Sequence, residues 1–115
     1  MKTQPIPETN DEPVKIVVGK SLRGFVHDKT KDQLIHFYDP ANEECQKIEP
    51  KWNELAVRLA DKENYVVGKF DTTENESKII KIRSIPQIMF FPKGQKMGLH
   101  YMGDPLDIDA ILAWA

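Results

Sequence analysis

The sequence predicts an α/β domain, with a central mixed β-sheet flanked by helices on both faces. Two observations carry this. Short β-branched or aromatic runs alternate with segments whose apolar residues return every three or four positions, from Val14 to the end of the chain. The length of 115 residues is one domain's worth on a prior of roughly 100–200 residues. With 40% hydrophobic and 30% charged residues, a chain of this size buries a useful core without disulfide or metal staples.

Residues 1–13 carry Pro5, Pro7 and Pro13 and almost nothing apolar besides Ile6, which predicts a flexible linker ahead of a domain spanning 14–115. The segment lacks the apolar stretch of a secretory signal. Val14–Val18 is a short β-branched strand closed by Gly19, and Ser21 is placed to N-cap a brief helix through about Val26. Gln33–Tyr38 is the clearest buried strand, interrupted by His36. From Asn42 to Ala60 the spacing of Cys45, Ile48, Trp52, Leu55 and Leu59 puts them on one face of a long helix. Pro50 lies inside it and is expected to kink it.

Tyr65–Asp71 reads as a strand, Glu74–Ile82 as a short helix, and Gln87–Phe91 as a core strand after Pro86. A turn at Gly94 precedes a last strand near Leu99–Met102. Pro105 suits the opening of a last helix whose apolar residues run from Leu106 to Trp114. Gln33–Tyr38, the long helix and Tyr65–Asp71 should form a right-handed parallel crossover. Ligands gather at the carboxyl ends of such strands, which points to Asp39–Cys45. A linker at one end and an amphipathic segment at the other predict a domain cut from a longer protein.

Several function classes fall away. No apolar run approaches the roughly 18 residues of a membrane span, so no membrane partner is expected. Sixteen Lys and Arg against 18 Asp and Glu give a net charge of −2 without a basic block, which argues against nucleic-acid binding through phosphates. One cysteine excludes a disulfide framework and a cysteine-rich zinc site. Cys45, His27, His36 and His100 lack metal-ligand spacing, so no metal and no cofactor are expected.

Five ordered stretches carry a family likeness: IPETNDEPVKIVVGKS (6–21), FYDP…C…EPKWNEL (37–55), GKFDTTEN (68–75), IRSIPQIMFFPKG (82–94) and YMGD (101–104). Over 6–114 the chain resembles the thioredoxin superfamily, most closely the last catalytic (a′) domain of protein disulfide isomerases. The resemblance implies the thioredoxin fold and the lumen of the endoplasmic reticulum. The partners it implies are unfolded or cysteine-containing client proteins and other domains of the parent chain.

The departure from the family is chemical. Where the family has Trp-Cys-Gly-His-Cys, this chain has Ala41, Asn42, Glu43, Glu44 and Cys45. Asn42 thus takes the position of the attacking cysteine, and Cys45 that of the resolving one. Dithiol exchange needs both: one thiolate attacks, and the second releases the client and closes the ring. A carboxamide cannot attack sulfur. Asn42 is also a favoured N-cap, and Glu43 and Glu44 then complement the helix dipole while opposing a thiolate at Cys45.

His36 stands where the isomerases carry a buried glutamate. It is read either as a base for Cys45 or, preferably, as a buried neutral histidine hydrogen-bonded to a neighbour. Lys69 matches the lysine that pairs with that glutamate. Arg83 matches an arginine that in the family turns toward the resolving cysteine; the plainer alternative pairs it with Glu43 or Glu44. Ile85-Pro86 matches the family's cis-proline turn.

These readings lead to a redox-inactive or strongly impaired domain. It would act as a client-binding, chaperone or structural module, with Pro40, Ala41, Ile85, Pro86 and Met102 as its binding edge. The competing readings are thiol–disulfide exchange by Cys45 as a lone thiol, with His36 and Arg83 assisting, or an isomerase whose cysteine pair lies in another domain.

Overall fold

A computed structural model describes residues 2–62, 64–94 and 98–115. In chain order the elements are β1 (Val14–Ile16), α1 (Leu22–Val26), β2 (Asp32–Tyr38), α2 (Glu43–Leu59), β3 (Tyr65–Asp71), β4 (Gln87–Phe91), β5 (Leu99–His100) and α3 (Ile108–Trp114). The sheet runs β1-β3-β2-β4-β5. β3 is parallel to both β1 and β2, β4 is antiparallel to β2, and β5 is antiparallel to β4. The helix between β2 and β3 makes the expected parallel crossover. This is the thioredoxin fold.

Two apolar layers sandwich the sheet. On one face Ile48, Trp52, Leu55 and Leu59 of α2 and Ile108 and Ile111 of α3 meet Leu34, Val67, Ile88 and Phe90. On the other, Leu22 and Val26 of α1, with Ile79, Ile80 and Ile82, cover Ile35, Phe37, Phe70, Met89 and Phe91. The alternation along each strand sends neighbours to opposite layers. Pro50 remains within α2, which continues to Leu59.

Three local readings need correction. Residues 74–82 form no helix, only a turn followed by bends. Their backbone groups bond to side chains instead: Ile80 N donates to Ser77 Oγ (2.9 Å), Arg83 N donates to Gln87 Oε1 (3.0 Å), and Lys81 O accepts from Gln87 Nε2 (3.2 Å). Such local side-chain bonds compete with helix formation, and the isoleucines reach the core without it. Ser21 precedes α1 but makes no side-chain cap; its Oγ accepts from Val18 N at 3.0 Å. Finally, α3 starts after Asp107, whose carboxylate accepts from Ala110 N at 3.1 Å, and not at Pro105.

Met1 of the 1–13 segment lies outside the described residues. The rest of that segment has neither helix nor strand. Lys2–Gln4 nonetheless lie against Asn75, which is 2% exposed. Asn75 Oδ1 accepts from Gln4 N (2.8 Å) and Gly19 N (3.0 Å), and Asn75 Nδ2 donates to Gln4 Oε1 (2.9 Å) and Asp71 O (3.1 Å). A buried carboxamide needs such partners, and a composition-based reading of residues 1–13 has no access to them.

Gly68 in β3 is a point of close approach. A Cβ there would lie 2.9 Å from Val17 Cγ2 and 3.0 Å from Phe25 Cζ, while its carbonyl oxygen accepts from Trp52 Nε1 at 2.9 Å. Gly68→Ala should therefore destabilise the fold by about 1–3 kcal/mol through overpacking, read as a lowered urea midpoint with an unchanged slope.

Candidate active-site region

The loop that leaves β2 is built by short polar bonds. Asp39 Oδ1 accepts from Ala41 N at 2.8 Å, Asp39 O accepts from Asn42 N at 3.0 Å, and Gln46 Nε2 reaches back to Pro40 O at 2.8 Å. Asn42, in extended conformation, then caps α2: its Oδ1 accepts from Cys45 N at 3.0 Å. Glu43 and Glu44 lie exposed in the first turn, where the helix dipole favours them. The position the resemblance assigns to an attacking thiol thus holds a neutral acceptor bonded to the backbone.

Cys45 is a free thiol only 2% exposed. Burial pushes its pKa up, and the negative charges of Asp39 and Glu44 add to this; a backbone hydrogen bond with Asp39 works in the opposite direction. The net effect is a protonated, poorly nucleophilic sulfur at neutral pH.

Beneath the loop, His36 is 3% exposed and lies between the rings of Tyr38 (5.6 Å) and Trp52 (5.7 Å). Burial first, and the Lys69 charge second, lower its pKa from 6.5 to about 4. It is therefore neutral at pH 7. The expected hydrogen bond to a neighbour is not found at Nε2, which is buried without a partner among the described residues. Aromatic rings fill the space around it, so the polar neighbour that reading required is displaced by packing. His36 and Cys45 border the same small void, of about 10 Å³, with Glu49, Trp52 and Lys69.

Lys69 has a partner that sequence reasoning missed. Its Nζ lies 3.3 Å from Glu49 Oε1 and 5.8 Å from the centre of the Tyr38 ring. The available signal was helical spacing, since Glu49 is four residues after Cys45 and so shares its face of α2. Arg83 is not in this cluster. It makes no ion pair with Glu43 or Glu44 among the described residues and borders a separate cavity with His27 and Lys81. Its backbone N–H donates to Gln87 Oε1 at 3.0 Å.

The Ile85–Pro86 peptide bond is cis. Ile85 and Pro86 line a groove of about 320 Å³ with Glu44, Tyr101 and Met102, the last 89% exposed. Pro40 and Ala41 are exposed but do not line it. The groove therefore runs from the start of α2 toward the β5–α3 connection, and Tyr101 is a lining residue that the sequence did not single out. Among the described residues, no group of three or more His, Cys, Asp or Glu is placed to hold a metal ion, and no helix is long and apolar enough to cross a membrane.

Comparison with known proteins agrees with this architecture. The thioredoxin family profile matches residues 13–114. Protein disulfide isomerase-like 1-4 of Arabidopsis thaliana is 42% identical over 108 residues, covering 94% of this chain and 17% of the plant protein. Human protein disulfide-isomerase A4 is 41% identical over 98 residues, or 84% of this chain and 15% of the human protein. Among solved structures, the first thioredoxin domain of mouse protein disulfide-isomerase A4 superposes with a TM-score of 0.76 at 22% identity, covering 96% of this chain and 79% of that one. The chain is a thioredoxin domain, and it belongs to the thioredoxin family. Within it, the sequence is that of a protein disulfide isomerase-type domain with a single cysteine, spanning about a sixth of the length of the relatives it matches.

The state of His36 makes a pH-dependent contribution to stability. An unfolded histidine takes a proton near pH 6.5, whereas this one resists protonation until about pH 4. The contribution is complete above pH 6.5 and is lost as pH falls toward 4, by about 3 kcal/mol. His36→Leu should remove this part of the acid sensitivity. Urea unfolding of both proteins at about pH 7.5 and about pH 4.5 reads it as a smaller loss in the variant.

Proposed function

We propose that this domain holds or positions client polypeptides without performing dithiol chemistry. The observation that carries the proposal is the bond from Cys45 N to Asn42 Oδ1 at 3.0 Å. The helix N-terminus that would stabilise an attacking thiolate instead receives a carboxamide, and the remaining sulfur has no mate within this chain. Burial and the raised pKa of Cys45 count against the lone-thiol reading, and the unpartnered, low-pKa His36 counts against an ion-paired Cys–His base.

The groove lined by Ile85, Pro86 and Met102 is the client surface in this reading. Ala41 does not line the groove, and where the family carries tryptophan it offers a client little apolar area, so binding is weak. The setting, carried over from the isomerase relatives, is the lumen of the endoplasmic reticulum. A second reading is favoured by coverage. The chain spans 15–17% of its relatives, so an active cysteine pair in another domain of the parent would make the whole protein an isomerase while this domain remains inert.

Three measurements test this. Cys45 should react with a disulfide reagent at least about a hundredfold more slowly in the native protein than in denaturant. The domain should give no catalytic turnover in insulin reduction, while Asn42→Cys combined with Glu43→Gly and Glu44→His should restore it. Turnover by the unmodified domain overturns the proposal. Met102→Asp should weaken binding of reduced, carboxymethylated α-lactalbumin several-fold, and unchanged binding removes the groove from the client surface.

A further inference from the structure

The face of the sheet away from α2 carries a cavity that the Cys45 region does not use. Ile88 and Phe90 of β4 pack beneath α2, whereas Met89 and Phe91 point to the opposite layer. There, with Ile80, they floor an open cavity of about 330 Å³. Its rim is polar: His27 follows α1, Lys81 and Arg83 precede the cis-proline, and His100 belongs to β5. No carboxylate is among the described residues that line it, although the chain as a whole has a net charge of −2.

Two further observations make this a built site. Lys81 and Arg83 are exposed, and neither has an ion-pair partner among the described residues. Their backbone is nevertheless fixed, because Gln87, 5% exposed, accepts from Arg83 N and donates to Lys81 O. Two unpaired cations thus border an apolar floor, and the imidazoles of His27 and His100 on the same rim add N–H donors.

We propose that this cavity docks an acidic peptide segment carrying one apolar anchor residue. The volume is at the low end of the roughly 300–1,000 Å³ of small-ligand pockets, enough for one large side chain with its flanking backbone. Acidic residues on either side of the anchor meet Lys81 and Arg83, a charge match that this otherwise acidic chain offers to an anionic partner. A peptide suits the site better than a free amphiphile because β5 is the edge strand of the sheet. Its outer backbone groups offer an extended chain additional hydrogen bonds. The surface is separate from the groove at Pro86, so the two bind independently.

The test uses the whole chain and a fluorescein-labelled peptide of sequence EELFEE, with KKLFKK and EESSEE as controls. EELFEE should bind saturably, and both controls at least about tenfold more weakly. Raising salt from about 50 to about 300 mM should weaken binding. Lys81→Glu with Arg83→Glu, both exposed, should weaken EELFEE by at least about tenfold without changing the thermal midpoint. Amide shifts should move at His27, Lys81–Arg83 and His100 and not at Glu44 or Pro86. Equal binding of KKLFKK, no saturation, or shifts confined to the Pro86 groove overturns the proposal. So does saturation of the same residues by dodecanoate where EELFEE fails, which would assign the cavity to a small amphiphile.

Discussion

Strand β2 has no free side: β3 pairs along one edge and β4 along the other, and an apolar layer covers each face. Leu34, Ile35 and Phe37 are all 0% exposed. Every other element takes its place from this ribbon, since the crossover helix must span from its carboxyl end to β3 and the cis-proline turn must deliver β4 to its other edge. The same burial dictates the chemistry beneath the active-site loop. Burial first, and the Lys69 charge second, keep His36 neutral at pH 7, beside the rings of Tyr38 and Trp52.

The start of α2 is a helix terminus occupied by structural groups. The partial positive charge at a helix N-terminus stabilises whatever anion or acceptor is placed on it. Here the Asn42 carboxamide receives the Cys45 amide, and two carboxylates occupy the first turn. These groups stabilise the helix, while burial, and with it the charges of Asp39 and Glu44, raises the cost of a thiolate at Cys45. Lower down, Lys69 pairs with Glu49 and lies over the Tyr38 ring. The groups beneath the loop are a neutral histidine, a protonated thiol and an ion pair.

The fold was legible because its strands are unmixed signals. Gln87–Phe91 is buried throughout, and Tyr65–Asp71 carries a β-branched and aromatic run despite Gly68 and Lys69. Asn42 and Cys45 were legible for a related reason: cap and thiol are three residues apart on one helix, so local spacing decides their relation. Residues 74–82 were not, because Ile79, Ile80 and Ile82 reach the core from an irregular segment once Ser77 and Gln87 bond its backbone. For Arg83, a matching position says which backbone site a residue occupies and nothing about the cavity its neighbours open. The Glu49–Lys69 pair joins a helix to a strand twenty residues on, so helical spacing puts Glu49 on the Cys45 face without naming its partner.

Asn75 has a consequence for where this unit can be severed. Its carboxamide is shared among Gln4, Gly19 and Asp71, so the chain's first residues and the turn after β3 close a ring on one buried side chain. A cut made just ahead of Val14 would keep every strand and helix yet strip that amide of both its bonds to Gln4. The loose end that composition suggests therefore behaves as a latch, whose keeper lies seventy-one positions away.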